Sequence, residues 1–283
     1  AFTGVESDYE KLGKIWKQVS DLLANYSKEL VVFEVINEPH AGHDIARIIN
    51  TSLDSIRNSP GNEDRIVIVP GDGFSTRQAL IDAFNNNEIP GDDDYLIGTF
   101  HYYDPRPYTK QGDPSEGTAG QNWGTDSEFI QVETDFDAVI SANNSWAANN
   151  LTSPLPIYLG EFGVDNKSDE YHLDRKKWLS WVRMQAEKRN FSWAHWNMYN
   201  NEATSKGMGP WAWNYAQNPS TRTFDADPLE ALVGFYRFKD GSRGGGVYNS
   251  QLYPDDSGNV YVDFPETTGV GVWARINSIY VPK

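Results

Sequence analysis

The chain has 283 residues, 24 Lys and Arg against 40 Asp and Glu for a formal charge of −16, and no cysteine. That balance has the wrong sign for a nucleic acid or an anionic membrane as partner, and the lack of thiols excludes disulfides and thiolate chemistry. Apolar runs stay well short of a membrane span, so a soluble protein acting on a neutral substrate is expected.

Residues 8–26 place Tyr9, Leu12, Ile15, Trp16, Val19, Leu22 and Leu23 at helical spacing, which predicts an amphipathic helix capped by Ser7 or Asp8. The run "ELVVFEVINEP" (29–39) then reads as a strand. Further strands are expected in "RIVIVPGDG", "YLIGTFHYYDP", "LPIYLGEFGV" and "FSWAHWNMYN", separated by helices over 43–57, 74–85, 127–149 and 168–189. The strand runs are apolar enough for burial on both faces, as in a parallel sheet, and their alternation with helices gives βαβ units. Ala1 opens without a basic start or an apolar core, so any signal peptide is expected to have been removed or never included.

Polar and aromatic residues gather where the strands finish: Asn37-Glu38, Asp72, His101 to Asp104, Glu161, and Trp196 to Tyr199. Ligands and catalytic groups of parallel α/β folds collect at that end. The expected fold is α/β of the (β/α)₈ TIM-barrel type, because a barrel makes these groups face one another. After residue 238 the Gly/Ser-rich "KDGSRGGGVYNSQ" breaks the pattern. Residues 1–238 are therefore expected to form the barrel part and 239–283 a β-rich extension, with short antiparallel strands within 247–283.

One glutamate follows an apolar strand in "VINEP" and another in "YLGEFG". A single strand-end glutamate is more often a cap or an ion-pair partner. Two facing across a cleft suit glycoside hydrolysis, in which one carboxyl protonates the leaving oxygen while the other attacks the anomeric carbon or activates water.

Over residues 8 to 236 the sequence resembles glycoside hydrolase family 5, a retaining (β/α)₈ group rich in cellulases and mannanases. Asn37-Glu38-Pro39 matches the family's Asn-Glu-Pro signature, "GEFG" its nucleophile strand, His101-Tyr102-Tyr103 its His-X-Tyr, and "AHWNMY" its strand eight. The resemblance implies Glu38 as acid/base, Glu161 as nucleophile, Asn37 on the sugar 2-hydroxyl, and Trp196 stacking on the −1 sugar. His101 is expected to hold Glu38 or a hydroxyl, and Tyr103 to donate to Glu161. The implied activity is a secreted, extracellular endo-β-1,4-glucanase acting on a polysaccharide such as cellulose, with no cofactor and no metal. Another β-glycan such as mannan is the alternative within the class, and a non-catalytic carbohydrate-binding protein is the alternative outside it.

The family has three strands before its Asn-Glu-Pro strand, which supply an Arg and a His to the −1 subsite. Here about 30 residues precede it, the length of a single βα unit. A barrel lacking roughly its first three βα units is expected, its open edge covered by an N-terminal segment or a second copy of the chain. Three further features weigh less. "HAGHD" brings His40, His43 and Asp44 together without the i, i+4 spacing of zinc enzymes, and "GDDDY" (91–95) reads as a solvated turn. The long loop 106–124 carries Trp123, expected to line a plus subsite or to pin the loop, and Trp211 and Trp213 stand in a similar loop at 208–219.

Overall fold

The computed structural model describes residues 2–40, 42–111, 115, 121–165 and 172–197, and beyond these 199–200, 207–209, 211–213, 222–224, 228, 231–232, 251–254 and 260–263. They fall into two compact units. One comprises Ala1–Tyr102, Glu133–Phe162 and Ala186–Ala194, and the other Tyr103–Val132, Gly163–Gln185 and His195–Lys283.

The first unit is built on a five-stranded sheet: β1 (Phe33–Glu34), β2 (Val67–Pro70), β3 (Leu96–Tyr102), β4 (Ile157–Phe162) and β5 (Ser192–Trp193). The strands lie side by side in chain order and every pair is parallel. Each apolar run predicted as a strand contributes one, and all four residues of β2 are buried, the burial on both faces expected of a parallel sheet.

Amphipathic helices cover the outer face. α1 (Glu6–Leu23) buries Tyr9, Leu12 and Trp16. α2 (Ile45–Arg57) buries Ile45, Ile48, Ile49, Leu53 and Ile56, and its N-cap Asp44 accepts from the Arg47 amide at 2.9 Å. The start of α1 corrects the expected cap: its N-cap is Val5, without a side-chain bond, and Ser7 and Asp8 lie inside the first turn. Asp8 instead reaches back to accept from the Thr3 amide at 2.7 Å and the Thr3 hydroxyl at 2.6 Å. Those two bonds, the hydroxyl first, hold its carboxyl below the usual range, and an acid there also suits the positive helix end.

The connection from α1 to β1 is held by Arg65, which is fully buried. Its guanidinium donates to Asn62 Oδ1 at 2.6 Å and to the carbonyls of Val31 at 2.7 Å, Leu23 at 3.0 Å and Tyr26 at 3.1 Å. Trp16 Nε1 donates to the Val35 carbonyl at 3.1 Å. After β2 come α3 (Asp72–Ser75), a short turn, and α4 (Arg77–Asn85), whose Leu80 and Phe84 cover Gly98 of β3. From α6 (Asp126–Asn150), Phe136 packs edge-on to Phe100 at 5.5 Å and to Tyr102 at 5.1 Å.

The second unit contains α5 (Arg106–Thr109), the start of α6 and most of α7 (His172–Lys188). Trp181 Nε1 donates to the Phe129 carbonyl at 3.0 Å. A small sheet places β7 (Trp211–Trp213) between a parallel β6 (Tyr199–Asn200) and an antiparallel β8 (Arg222–Phe224). β9 (Gln251–Pro254) and β10 (Val260–Asp263) pair antiparallel. The expected boundary near residue 238 lies outside the described residues, as does most of the loop from 112 to 120.

Candidate active site

Side chains alternate across a strand. In β3, Gly98, Phe100 and Tyr102 face the helices, which leaves Ile97, Thr99 and His101 on the inner face. The same alternation carries Glu34, Ile36 and Glu38 inward along and beyond β1. Glu38 takes up a left-handed backbone, φ 43°. For a non-glycine residue this conformation is uncommon and clusters at functional turns.

A second left-handed stretch lies beside it. Gly73, Phe74 and Ser75 have φ of 62°, 62° and 52° in succession. The Phe74 amide donates to the Pro39 carbonyl at 2.7 Å, its ring stands 4.8 Å from that of His40, and Asp72 Oδ2 accepts from the Gly42 amide at 2.6 Å. The turns after β1 and β2 are thereby tied together. Thr76, next along the chain, forms a parallel bridge with His101.

These constraints converge on three side chains. His101 Nδ1 lies 2.9 Å from Glu38 Oε1 and 3.5 Å from Glu161 Oε2. One ligand atom from each of Glu38, His101 and Glu161 falls within 4.8 Å of the other two. The His101 side chain is 3% exposed, that of Glu161 13% and that of Glu38 36%. Glu161 is thus the sheltered carboxylate and Glu38 the one open to proton exchange with water. Retaining glycosidases place their two carboxyls about 5–5.5 Å apart, and inverting enzymes place them farther apart to admit a water. Here one carboxyl oxygen of Glu38 lies within 4.8 Å of one of Glu161.

Nearer the strand starts, a cleft of about 470 Å³ is lined by residues that include Glu34, Ile68, Ile97, Tyr158 and Ser192. Burial pushes the Glu34 carboxyl up, against the opposing effect of His101 and with added repulsion from Glu161. The Tyr158 hydroxyl is pushed up in the same way, by burial first and then by Glu34 and Glu161. The inner face therefore carries a third carboxyl besides the two the motifs single out. Glu34 stands four residues before Glu38, so counting back by twos from the Asn-Glu-Pro motif finds it.

The remaining expected site residues are placed as follows. Asn37 is exposed beside Glu38. Tyr103 belongs to the second unit, where it is buried with Lys110 Nζ 4.0 Å above its ring and its carbonyl accepts from Thr109 Oγ1. Trp123 is buried in the same unit, edge-on to Phe129 at 4.6 Å. Trp196 is 47% exposed. Its neighbour His195 has a pKa lowered to about 4, by burial first and then by the Arg175 charge.

Among the described residues, the group spaced to hold a cation is Glu38, His101 and Glu161, where the 2.9 Å contact of His101 with Glu38 is the length of a direct hydrogen bond. His40, His43 and Asp44 do not form such a group; Asp44 is occupied as the helix cap. In "GDDDY", Asp93 pairs with Arg57 at 2.9 Å and accepts from the Tyr95 amide at 3.0 Å, the bonds of a structural turn.

Comparison with known proteins places these residues in a family. Endoglucanase H of Acetivibrio thermocellus is 34% identical over 235 residues, which cover 81% of this chain and 23% of that protein; the chain thus spans about a quarter of this relative's length. Among solved structures, the clostridial cellulose synthase subunit Z of Clostridioides difficile matches with a TM-score of 0.62 and 31% identity, over 80% of this chain and 68% of that one. A hyperthermophilic endo-beta-1,4-glucanase solved with substrate matches with a TM-score of 0.63 and 28% identity, over 81% and 67%. The family model "Cellulase (glycosyl hydrolase family 5)" matches residues 2–202, which include all five parallel strands. The chain therefore belongs to glycosyl hydrolase family 5, whose TIM-barrel fold its parallel α/β sheet fits.

Proposed function

We propose that the chain carries an endo-β-1,4-glucanase that cleaves internal bonds of a glucan such as cellulose with retention of configuration. The observation that carries this is the grouping of Glu38, His101 and Glu161 within 4.8 Å. Endoglucanase H, with 34% identity, supports the substrate class. In the first step a Glu161 oxygen attacks the anomeric carbon, the bond from that carbon to the glycosidic oxygen breaks, and Glu38 gives its proton to the departing oxygen. In the second step Glu38 takes a proton from water, the resulting hydroxide attacks the same carbon, and Glu161 leaves as carboxylate. Asn37 would meet the sugar 2-hydroxyl, and Trp196 would stack on a sugar face. The polymeric substrate makes an extracellular, secreted protein the natural setting. The five strands are read as strands four to eight of the family barrel, supported by their all-parallel order and the position of the Asn-Glu-Pro motif after the first of them.

Reducing-sugar release and viscosity loss on carboxymethylcellulose and mixed-linkage β-glucan, with NMR of the first anomer formed, test the proposal. Cleavage yielding the β-anomer first, and lost in Glu161→Gln with oligosaccharide binding intact, is the expected result. An unmodified chain that binds cello-oligosaccharides and cuts none would instead be a carbohydrate-binding protein.

A further inference from the structure

We propose that Gly160 is a positioning residue of this centre: it is the extra residue of a bulge that turns Glu161 onto the inner face, and its missing side chain leaves the space in which His101 stands. The inference rests on the roles given to Glu38 and Glu161 above.

The first half follows from register. β3 and β4 pair Thr99 with Tyr158 and Phe100 with Leu159, but the next pair is His101 with Glu161. The register shifts by one residue on β4, and Gly160 is the residue without an opposite number. Without the shift, strict alternation would put Glu161 on the face of Ile157 and Leu159, against the helices, and Phe162 inside. With it, Glu161 joins Tyr158 and His101, and Phe162 is buried edge-on to Trp193 at 5.8 Å. Bulges next to active sites commonly re-aim a side chain in this way.

The second half follows from space. A Cβ at position 160 would lie 2.9 Å from Thr99 Oγ1, 3.2 Å from His101 Nε2 and 3.3 Å from His101 Cδ2. Neither neighbour can retreat freely. The Thr99 hydroxyl donates to the Tyr158 carbonyl at 3.0 Å, and the His101 ring is held on its far side by Glu38 at 2.9 Å. The His101 backbone is fixed by its pairing with Glu161 and its bridge to Thr76. A methyl group at 160 must therefore move the imidazole off its two carboxylates or spread β3 from β4. Among the described residues, the charged and titratable groups sharing this inner face with His101 are Glu34, Glu38, Tyr158 and Glu161, and none of these is a basic side chain that would take over the position of the ring.

Gly160→Ala in the full chain tests this, assayed beside the unmodified protein. On β-glucan kcat is expected to fall about 100-fold or more with KM within about threefold. Labelling of Glu161 by a 2-deoxy-2-fluoro-β-cellobiosyl fluoride, read by intact mass, should slow in parallel. In that reaction a Glu161 oxygen bonds to the anomeric carbon as fluoride departs, so it needs no proton from Glu38 and reports nucleophile placement alone. In a Thr99→Ala background the 2.9 Å contact is absent and the histidine contact remains, so that pair also serves if Gly160→Ala alone does not fold. The loss should persist there. Wild-type kcat and labelling in Gly160→Ala, or recovery by Thr99→Ala, overturns the proposal. An inactive unmodified chain would strike the proposed function instead. Gly160 is then judged by the ¹H–¹⁵N ring signals of His101, which should move in Gly160→Ala and whose constancy overturns the inference.

Discussion

His101 Nδ1 stands 2.9 Å from Glu38 Oε1, the length of a hydrogen bond, and 3.5 Å from Glu161 Oε2, so one ring nitrogen faces both carboxyl groups. A hydrogen bond to a charged group contributes about 1.5–3 kcal/mol, which is roughly a 10- to 150-fold effect at 1.4 kcal/mol per tenfold. His101→Ala should lower kcat/KM by that amount. His101→Asn, whose amide nitrogen can occupy nearly the place of Nδ1, should recover part of it. Steady-state kinetics on one soluble glucan decide, and equal losses in both variants would assign the ring a packing role only.

Burial, with added repulsion from Glu161 and against the opposing effect of His101, raises the folded pKa of Glu34 above the ordinary glutamate value of 4.5. For a raised carboxyl the stabilising contribution is complete below the unfolded value and is lost as pH rises through the folded one. Glu34→Gln cannot ionise and should escape that loss. Thermal melts should show the two proteins closest near about pH 4 and the variant ahead near pH 8, by on the order of 1 kcal/mol. A variant less stable than the parent at both pH values would mean that the carboxylate has a favourable partner.

His195 has the opposite sign. Its pKa falls to about 4 from an ordinary 6.5, so its contribution is present above 6.5 and is lost as pH falls through that value toward 4. Ring proton shifts assigned with a His195→Gln variant should show no inflection between about pH 5.5 and 8. A midpoint near 6.5 would contradict the burial described here.

Arg65 satisfies one side chain and three carbonyls from inside the protein. Arg65→Leu would leave those acceptors buried and unmet, at about 1 kcal/mol each. A loss of roughly 3–4 kcal/mol in urea unfolding is expected, against less than about 1 kcal/mol for an exposed pair such as Lys14→Ala with Glu10.

Much of this was legible in the sequence, and for a physical reason. Strands buried on both faces must be almost wholly apolar, so "RIVIVP" and "YLIGTFHYY" declare themselves, and the carboxylates at "NEP" and "GEFG" stand out against them. Alternation also reaches Glu34 from Glu38. It fails at Glu161, because counting back through "YLGEF" puts that residue on the wrong face and only the pairing with β3 reveals the extra residue. The left-handed turn at Gly73, Phe74 and Ser75 was hidden likewise, since aromatic and serine side chains give no sign of positive φ and the segment read as the start of a helix. The cap of α1 was misplaced because Asp8, a good cap by type, serves as a first-turn acid bonded to Thr3 instead.

The all-parallel order of the sheet has a consequence for how this protein acquires activity. Glu38, His101 and Glu161 arrive on segments separated by whole crossover helices, so each of their contacts closes a long loop of chain and none can form within a hairpin or a single helix. Such distant pairings form late, after local structure is in place. Helical signal should therefore return first during refolding from denaturant, with glucan cleavage trailing it, and enzymatic turnover would serve as a clock for the last strands to register.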